Sequence, residues 1–394
     1  MKGLKSHTLR VVLAGGGTAG HINPAISIAN YIRKKDPGAK VLYVGNIGSM
    51  EESLVKRENI NFKGINISGF SRKLNLKGLK SNILTVKRLV LSVLESKKIL
   101  KQFRPDFCVG TGGYVSGPIL WQASNMGIPI FIHEQNAFPG VTTKILAKRA
   151  KCTFLGMQDA KKYLNKNAKT KFTGNPVRED IVTCVKSTSR KKLNLDGEKF
   201  TILSFGGSLG AEKINKAILE LILEFNKNNE EIQHIHAYGK YGKWFIPELE
   251  KIGINPKKCK NLYIKEYLDN MPLCLSSADL VICRAGAISL SELAVQGKPS
   301  VLIPSPNVTA NHQYYNAMAL VKRNAAIMVQ EKDLSGKTLT NIVKKLLSKK
   351  ELLKTYSSNV SKLAIIDVCE KIFNEIEKVV LKSDKYKEKT VLKI

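Results

Sequence analysis

Long apolar runs are missing from this sequence. No stretch approaches the roughly 18 consecutive apolar residues that a bilayer-spanning helix needs, so it offers no transmembrane segment. The start, Met1-Lys2-Gly3-Leu4-Lys5-Ser6-His7-Thr8, is basic, but Val11-Val12-Leu13-Ala14 is too short for the core of a secretory signal. Both absences point to a soluble or peripheral protein. Patterned cysteine is missing too. Seven cysteines (108, 152, 184, 259, 274, 283 and 369) are scattered without a Cys-x-x-Cys pair, which argues against a disulfide framework and a zinc site and fits a reduced cytosol. Acidic residues are scarce, 32 Asp+Glu against 64 Lys+Arg among 394 residues, for a net charge of +32. Such an excess favours nucleic acid, anionic lipid or phosphorylated substrates, although a lysine-rich genome explains it equally well. No nucleic-acid-binding motif is present, so no nucleic-acid partner is expected.

What the chain does contain is a unit that appears twice. Residues 8–35 read as a strand (Leu9 to Ala14), a glycine loop (15–20) and a helix; residues 199–227 read as a strand (Phe200 to Phe205), a loop (206–210) and a helix. In the second helix Ile214, Ile218, Leu221, Ile222 and Phe225 share one face. Strand-like runs follow at Lys40–Val44, Phe107–Gly110, Ile128–His133, Asp279–Cys283 and Ser300–Pro304, with helical segments between them. This alternation predicts an α/β chain with two doubly wound, parallel-sheet domains and a cleft between them. Gly174-Asn175-Pro176 is a turn signal at the junction. The expected division is 1–177, 178–357, and a returning helix with a basic tail at 358–394; residues 350–381 read as helical by periodicity. Residues 70–101 interleave leucine, valine and isoleucine with nine Lys or Arg. That pattern suits an anionic bilayer surface or, alternatively, an amphipathic helix packed on its own sheet.

A glycine loop between strand and helix exposes backbone N–H groups to phosphate, and the helix dipole adds to the attraction. Neither loop is followed by the Gly-Lys-Ser/Thr of a phosphate-binding Walker motif. Glycines 15, 17 and 20 satisfy Gly-x-Gly-x-x-Gly, but after Leu42-Tyr43-Val44-Gly45-Asn46 no acid appears until Glu51, which disfavours a nicotinamide enzyme. His21 follows the first loop, with Pro24 read as opening the helix; it suits a general base or, alternatively, a loop hydrogen bond. Further loops, Gly112 to Pro118 and Glu134 to Gly140, end strands where open α/β sheets bind ligands. In Cys283-Arg284-Ala285-Gly286-Ala287-Ile288-Ser289-Leu290-Ser291-Glu292, Glu292 completes a capping box with Ser289 or accepts from two ribose hydroxyls. No Asp-x-Asp occurs, so no metal site and no cofactor is expected; loop N–H groups and cations such as Arg178 must meet leaving-group charge.

Seven segments in order resemble the MurG family of N-acetylglucosaminyl transferases, within glycosyltransferase family 28. They are 15–25, 112–118, His133-Glu134-Gln135-Asn136, Gly174 to Arg178, Gly206 to Ala211, Arg284 through Glu292, and His312-Gln313-x-x-Asn316-Ala317, across about residues 8–320. The resemblance implies a GT-B fold, two Rossmann-like domains facing a cleft, the first taking a lipid acceptor and the second a nucleotide sugar. It implies inverting transfer of N-acetylglucosamine from its UDP conjugate (UDP-GlcNAc) to the C4 hydroxyl of undecaprenyl-pyrophosphoryl-MurNAc-pentapeptide (lipid I), for peptidoglycan synthesis. Thr18, Ala19 and Gly20 would line the sugar-diphosphate site, although Ala19 stands where many relatives have glycine. Asn136 and Gln313, with His312, would contact the sugar; Arg178 and Ser208 the diphosphate. Leu268 would offer its backbone to uracil, Glu292 would hold the ribose, Ala287 and Ile288 would join the substrate-binding set, and His21 would be the base. The implied location is the cytoplasmic face of the cell membrane, with an anionic lipid surface and cell-wall synthesis and division proteins as partners. A diacylglycerol glycosyltransferase, a UDP-sugar 2-epimerase and a non-catalytic UDP-sugar sensor remain as alternatives.

Overall fold

The computed structural model describes residues 8–69, 76–227, 232–256 and 258–381, and the side chains of 76–84, 227 and 381 lie outside that description. The described residues form two compact units. One runs to Pro176 and resumes at Asp367; the other is Val177–Ile366.

In the first unit seven strands make one parallel sheet: β1 (Arg10–Ala14), β2 (Lys40–Asn46), β3 (Asn61–Ile65), β4 (Phe107–Gly110), β5 (Ile130–Glu134), β6 (Cys152–Leu155) and β7 (Thr170–Phe172). Their order is β3-β2-β1-β4-β5-β6-β7. Helices α1 (Ala19–Lys35), α2 (Met50–Arg57), α3 (Leu76–Phe103), α4 (Ser116–Asn125) and α5 (Val141–Leu146) connect them. The sheet is covered on both faces, so β1 and β4 through β6 are nearly continuous apolar runs. Phe107, Phe131 and Phe154 lie side by side on three neighbouring strands with successive ring centroids 5.9 Å apart.

The second unit has six parallel strands: β8 (Phe200–Phe205), β9 (Ile232–Ala237), β10 (Leu262–Lys265), β11 (Leu280–Cys283), β12 (Ser300–Leu302) and β13 (Ile327–Met328). They run in the order β10-β9-β8-β11-β12-β13. The helices are α6 (Glu179–Thr183), α7 (Lys186–Lys192), α8 (Glu212–Lys227), α9 (Phe245–Lys251), α10 (Met271–Ser277), α11 (Ala287–Val295), α12 (His312–Val321), α13 (Gly336–Ser348) and α14 (Lys350–Ser361). The α8 face anticipated from spacing is buried: Ile214, Ile218, Leu221, Ile222 and Phe225 join one core with Ile282, Val301 and Leu339.

Two readings about helices are refined. Residues 350–381 are helical as expected, but not as one helix, because α14 ends at Ser361 and α15 (Val368–Ile376) begins after a break where the chain leaves the second unit. There α15 packs on the first unit, with Phe373 5.9 Å from Tyr31 of α1 and Lys171 paired with Glu375 at 2.5 Å. Pro24 does not open α1 either. The helix starts at Ala19 with Thr18 as its N-cap, so His21 sits in the first turn and Pro24 in the second.

Candidate functional site

Both sheets reverse direction of winding between their founding strands, β1/β4 in one and β8/β11 in the other. Crevices at the carboxyl ends of such strand pairs are where open α/β sheets bind ligands.

In the first unit the loops after β1 and β4 interlock. A Cβ on Gly113 would sit 2.3 Å from the Gly16 carbonyl oxygen, and one on Gly15 would sit 2.1 Å from Thr111 Oγ1. Gly112 and Gly113 also have φ of +103° and +77°. Glycine is therefore required at 15, 112 and 113 by loop-to-loop packing. His21 is held between the two loops. Its Nδ1 lies 3.1 Å from the Gly16 carbonyl and 3.3 Å from Thr18 Oγ1. A carbonyl only accepts, so the proton belongs on Nδ1 and Nε2 keeps its lone pair. That Nε2 faces Gly112, where an added Cβ would come within 3.2 Å. Burial pushes the His21 pKa down, opposed by Glu134 and by the bond to Gly16. A neutral imidazole with a free Nε2 is the form a general base needs.

The His133-Glu134-Gln135-Asn136 segment is mostly framework. His133 Nε2 donates to Gly174 O at 3.0 Å, Gln135 Nε2 donates to Thr111 O at 2.8 Å, and Asn175 Nδ2 donates to Gln135 O at 3.2 Å. Glu134 accepts from the Asn136 backbone and side chain and from Gly140 N–H, which fixes Asn136 at the end of β5. Thr18, Ala19 and Gly20 form the entrance to α1 beside His21.

The second unit carries the remaining candidates after β8, β10, β11 and β12, except Arg178, which is the N-cap of α6. Ser208 lies exposed in the loop after β8, braced where Lys240 N–H donates to its carbonyl at 3.1 Å. Leu268 buries its side chain after β10 and anchors the backbone that follows exposed Tyr267. Ala287 and Ile288 are the first two residues of α11, whose N-cap is Gly286. This start leaves Ser289 inside the helix, so the capping-box reading of Ser289 and Glu292 is set aside. Burial pushes the Glu292 carboxyl up to about 7, against the pull of Arg178 and with the help of Asp180. Arg178 and Glu292 therefore share one electrostatic neighbourhood. His312 and Gln313 open α12 after two left-handed residues, Ala310 and Asn311, both at φ 52°. His312 Nδ1 is 2.9 Å from Thr309 O, and Gln313 accepts from Ser305 N–H at 2.8 Å, which aims its amide nitrogen away from that bond.

Two residues named in the sequence have framework roles that the sequence did not assign. Arg284 donates to the Ile303 and Pro304 carbonyls and pairs with Glu331, so it ties the loop after β11 to the loop after β12. Glu51, noticed only as too late for a ribose, is buried beneath the first glycine loop. The signal was its position as the first acid beyond β2, at a helix start. Among the described residues no cluster of three or more His, Cys, Asp or Glu is arranged to hold a metal ion.

Two Rossmann-like units with loops gathered at the carboxyl ends of both sheets make the GT-B fold. The N-terminal domain of glycosyltransferase family 28 matches residues 11–155 and its C-terminal domain residues 201–372, so the chain belongs to that family. It is 41% identical over 375 residues (95% of this chain, 99% of the relative) to the UDP-N-acetylglucosamine--N-acetylmuramyl-(pentapeptide) pyrophosphoryl-undecaprenol N-acetylglucosamine transferase of Acetivibrio thermocellus. The Bacillus subtilis protein of that name is 37% identical, covering 94% of this chain and 99% of its own. The crystal structure of Acinetobacter baumannii MurG superposes with a TM-score of 0.74 at 25% identity, covering 94% of this chain and all of that one. The calicheamicin glycosyltransferase CalG4, at 12% identity and a TM-score of 0.67 over 96% of this chain and 100% of its own, shares the fold alone.

Proposed function

We propose that this chain transfers N-acetylglucosamine from UDP-GlcNAc to the C4 hydroxyl of undecaprenyl-pyrophosphoryl-MurNAc-pentapeptide. The observation that carries the reading is 41% identity along 95% of the chain to a transferase of that printed activity. The first unit is assigned the lipid acceptor, and the second, Val177–Ile366, the nucleotide sugar. His21 Nε2 takes the hydroxyl proton as the C4 oxygen bonds to the anomeric carbon. The bond to the diphosphate oxygen breaks on the opposite face, its electron pair leaves with UDP, and the α-linked donor gives a β-linked product. Arg178 and Ser208 meet the diphosphate, with Thr18, Ala19, Gly20, Ala287 and Ile288 lining its surroundings. Glu292 accepts from the ribose hydroxyls, the Leu268 backbone meets uracil, and Asn136, His312 and Gln313 contact the sugar.

The exposed face of α3 supports a membrane-peripheral location. Residues 70–75 and the side chains of 76–84 lie outside the described residues, but from 85 to 96 the helix is inverted, before Ile99 and Leu100 return to the core. Thr85, Ser92 and Ser96 are buried, while Val86, Leu89, Val90, Leu91 and Leu94 are exposed. A helix packed only on its own sheet would bury the apolar set. Exposed Lys87, Lys97, Lys98 and Lys101 suit an anionic surface. No described helix is long and apolar enough to cross a membrane.

The test is UDP release from UDP-GlcNAc with and without a soluble muramyl-pyrophosphoryl-lipid analogue. Release that depends on the analogue, with sugar recovered on it, is expected. His21→Ala should lower kcat by ~100-fold or more. Interconversion of free UDP-sugar without acceptor would indicate an epimerase, and binding without turnover a sensor.

A further inference from the structure

A single peptide group separates Glu51 from His21. The carbonyl of the Gly16–Gly17 peptide faces His21 Nδ1 at 3.1 Å, and the N–H of the same peptide points to Glu51 Oε2 at 3.5 Å, a long hydrogen bond. Glu51 is 1% exposed, and its other oxygen accepts from Asn46 N–H at 3.2 Å. It is wedged in place: a Cβ on Gly16 would lie 2.5 Å from Oε1, and one on Gly45 would lie 2.8 Å from Cγ. Tyr43 OH donates to Gly15 O at 2.7 Å, so the loop is pinned at two consecutive peptide groups.

We propose that Glu51 is a positioning residue for the reaction, setting the tautomer and basicity of His21 through the Gly16–Gly17 peptide. The acid fixes which way this peptide faces, because reversal would turn the carbonyl onto the carboxylate and the N–H onto His21. A carboxylate on the N–H end polarises the peptide, so its oxygen accepts more strongly from Nδ1–H. Nε2 then carries a more basic lone pair. The groups around His21 are Glu134 from β5, Glu51 through the peptide, and the neutral Thr18, Thr111 and Gly112. Glutamine is a poor substitute at 51. Its oxygen can serve one of the two N–H groups, but its NH2 then confronts the other.

The inference rests on His21 as the base, and the test separates the two. The full-length protein is labelled with 15N in the histidine rings, and His21 is assigned by its loss in His21→Asn. In the wild type the Nδ1–H tautomer is expected; an Nε2–H tautomer overturns the proposal. In Glu51→Gln the His21 pKa should fall by roughly half a unit to one unit with a mixed tautomer. The kcat should fall about tenfold with the donor KM within about twofold, and the acid limb of kcat/KM should move to lower pH. Unchanged His21 shifts and pKa in a folded Glu51→Gln overturn the proposal. If that variant does not fold, Glu51→Asp, which keeps the charge but withdraws it, should move the His21 shifts the same way by less, and no movement overturns it. Full activity in His21→Ala together with the expected ring shifts removes His21 as the base and leaves the coupling standing. Lost activity in His21→Ala with unmoved shifts in Glu51→Gln does the reverse.

Discussion

Glu292 carries the sharpest pH signature at the scale of single residues. Its carboxyl is pushed up to about 7 by burial, with Arg178 pulling it down and Asp180 pushing it up. In the proposed ribose-binding role it is, above that pH, an ionised acceptor for two hydroxyls; below it, a proton occupies one acceptor position. Donor KM should therefore fall as pH rises from 6 to 8, and Glu292→Gln should raise it roughly tenfold while flattening the dependence. Steady-state kinetics with varied UDP-GlcNAc checks this, and an unchanged slope in the variant would remove Glu292 from ribose binding. Gly113 gives a second prediction. Its φ is +77°, and a Cβ would meet the Gly16 oxygen at 2.3 Å. Gly113→Ala should cost at least about 2 kcal/mol in urea unfolding and displace the loop that holds His21. The candidate residues were legible from sequence, since His21 in the first unit and Arg178 and Glu292 in the second were singled out by their place in motifs. Their partners were not. Neither the pairing of the Gly16 carbonyl with His21 nor the burial of Glu51 leaves a trace in spacing, because both depend on how loops 15–20 and 111–117 interlock.

Strands show the same division between what a pattern reveals and what it hides. β4 and β8 were delimited as the structure has them, because a sheet covered on both faces makes an apolar run with glycine at or just beyond its end. β9 was missed. Its sequence, Ile232 to Ala237, buries Gln233, His234 and His236, so polar residues occupy inward positions. The structure supplies partners that sequence cannot. Gln233 exchanges bonds with the Asp196 backbone, and Ser204 Oγ lies 2.8 Å from both His234 and His236. Burial lowers the two histidine pKa values from 6.5 to about 3, and His234 further disfavours charge on His236. The folded strand thus keeps both rings neutral, whereas the unfolded chain takes up protons below pH 6.5. Stability from this pair is complete above that pH and is lost as pH falls toward the folded values. At pH 5 each histidine should cost about 2 kcal/mol relative to pH 7.5. Calorimetry of the second unit's transition across pH 5 to 7.5 tests this, and His236→Asn should reduce the slope. A transition temperature independent of pH over that range would show that the rings are not buried neutral.

For the whole molecule the question is what the net charge of +32 does, because lysine enrichment and a docking surface predict the same composition. The inverted face of α3 separates them. Charge alone brings the protein to any anionic surface, at about 1 kcal/mol for each Lys or Arg near it, and salt weakens the attraction within a Debye length. Insertion of apolar side chains adds ~1.5–3 kcal/mol for each one buried, with little salt dependence. Val90 and Leu94, 58% and 59% exposed, lie one turn apart and are available for that second contribution. Val90→Glu with Leu94→Glu should lower partition onto vesicles containing anionic phospholipid by about a hundredfold at high salt. Activity on a soluble acceptor should be unchanged, since neither residue belongs to the site. Lys97→Glu with Lys98→Glu should weaken binding mainly at low salt. If high salt releases the wild type completely and the valine-leucine change has no effect, electrostatics alone docks the chain and the exposed apolar face of α3 must serve another surface. If the apolar pair carries salt-resistant binding, the helix is a membrane anchor and the excess of lysine elsewhere is not needed to explain it.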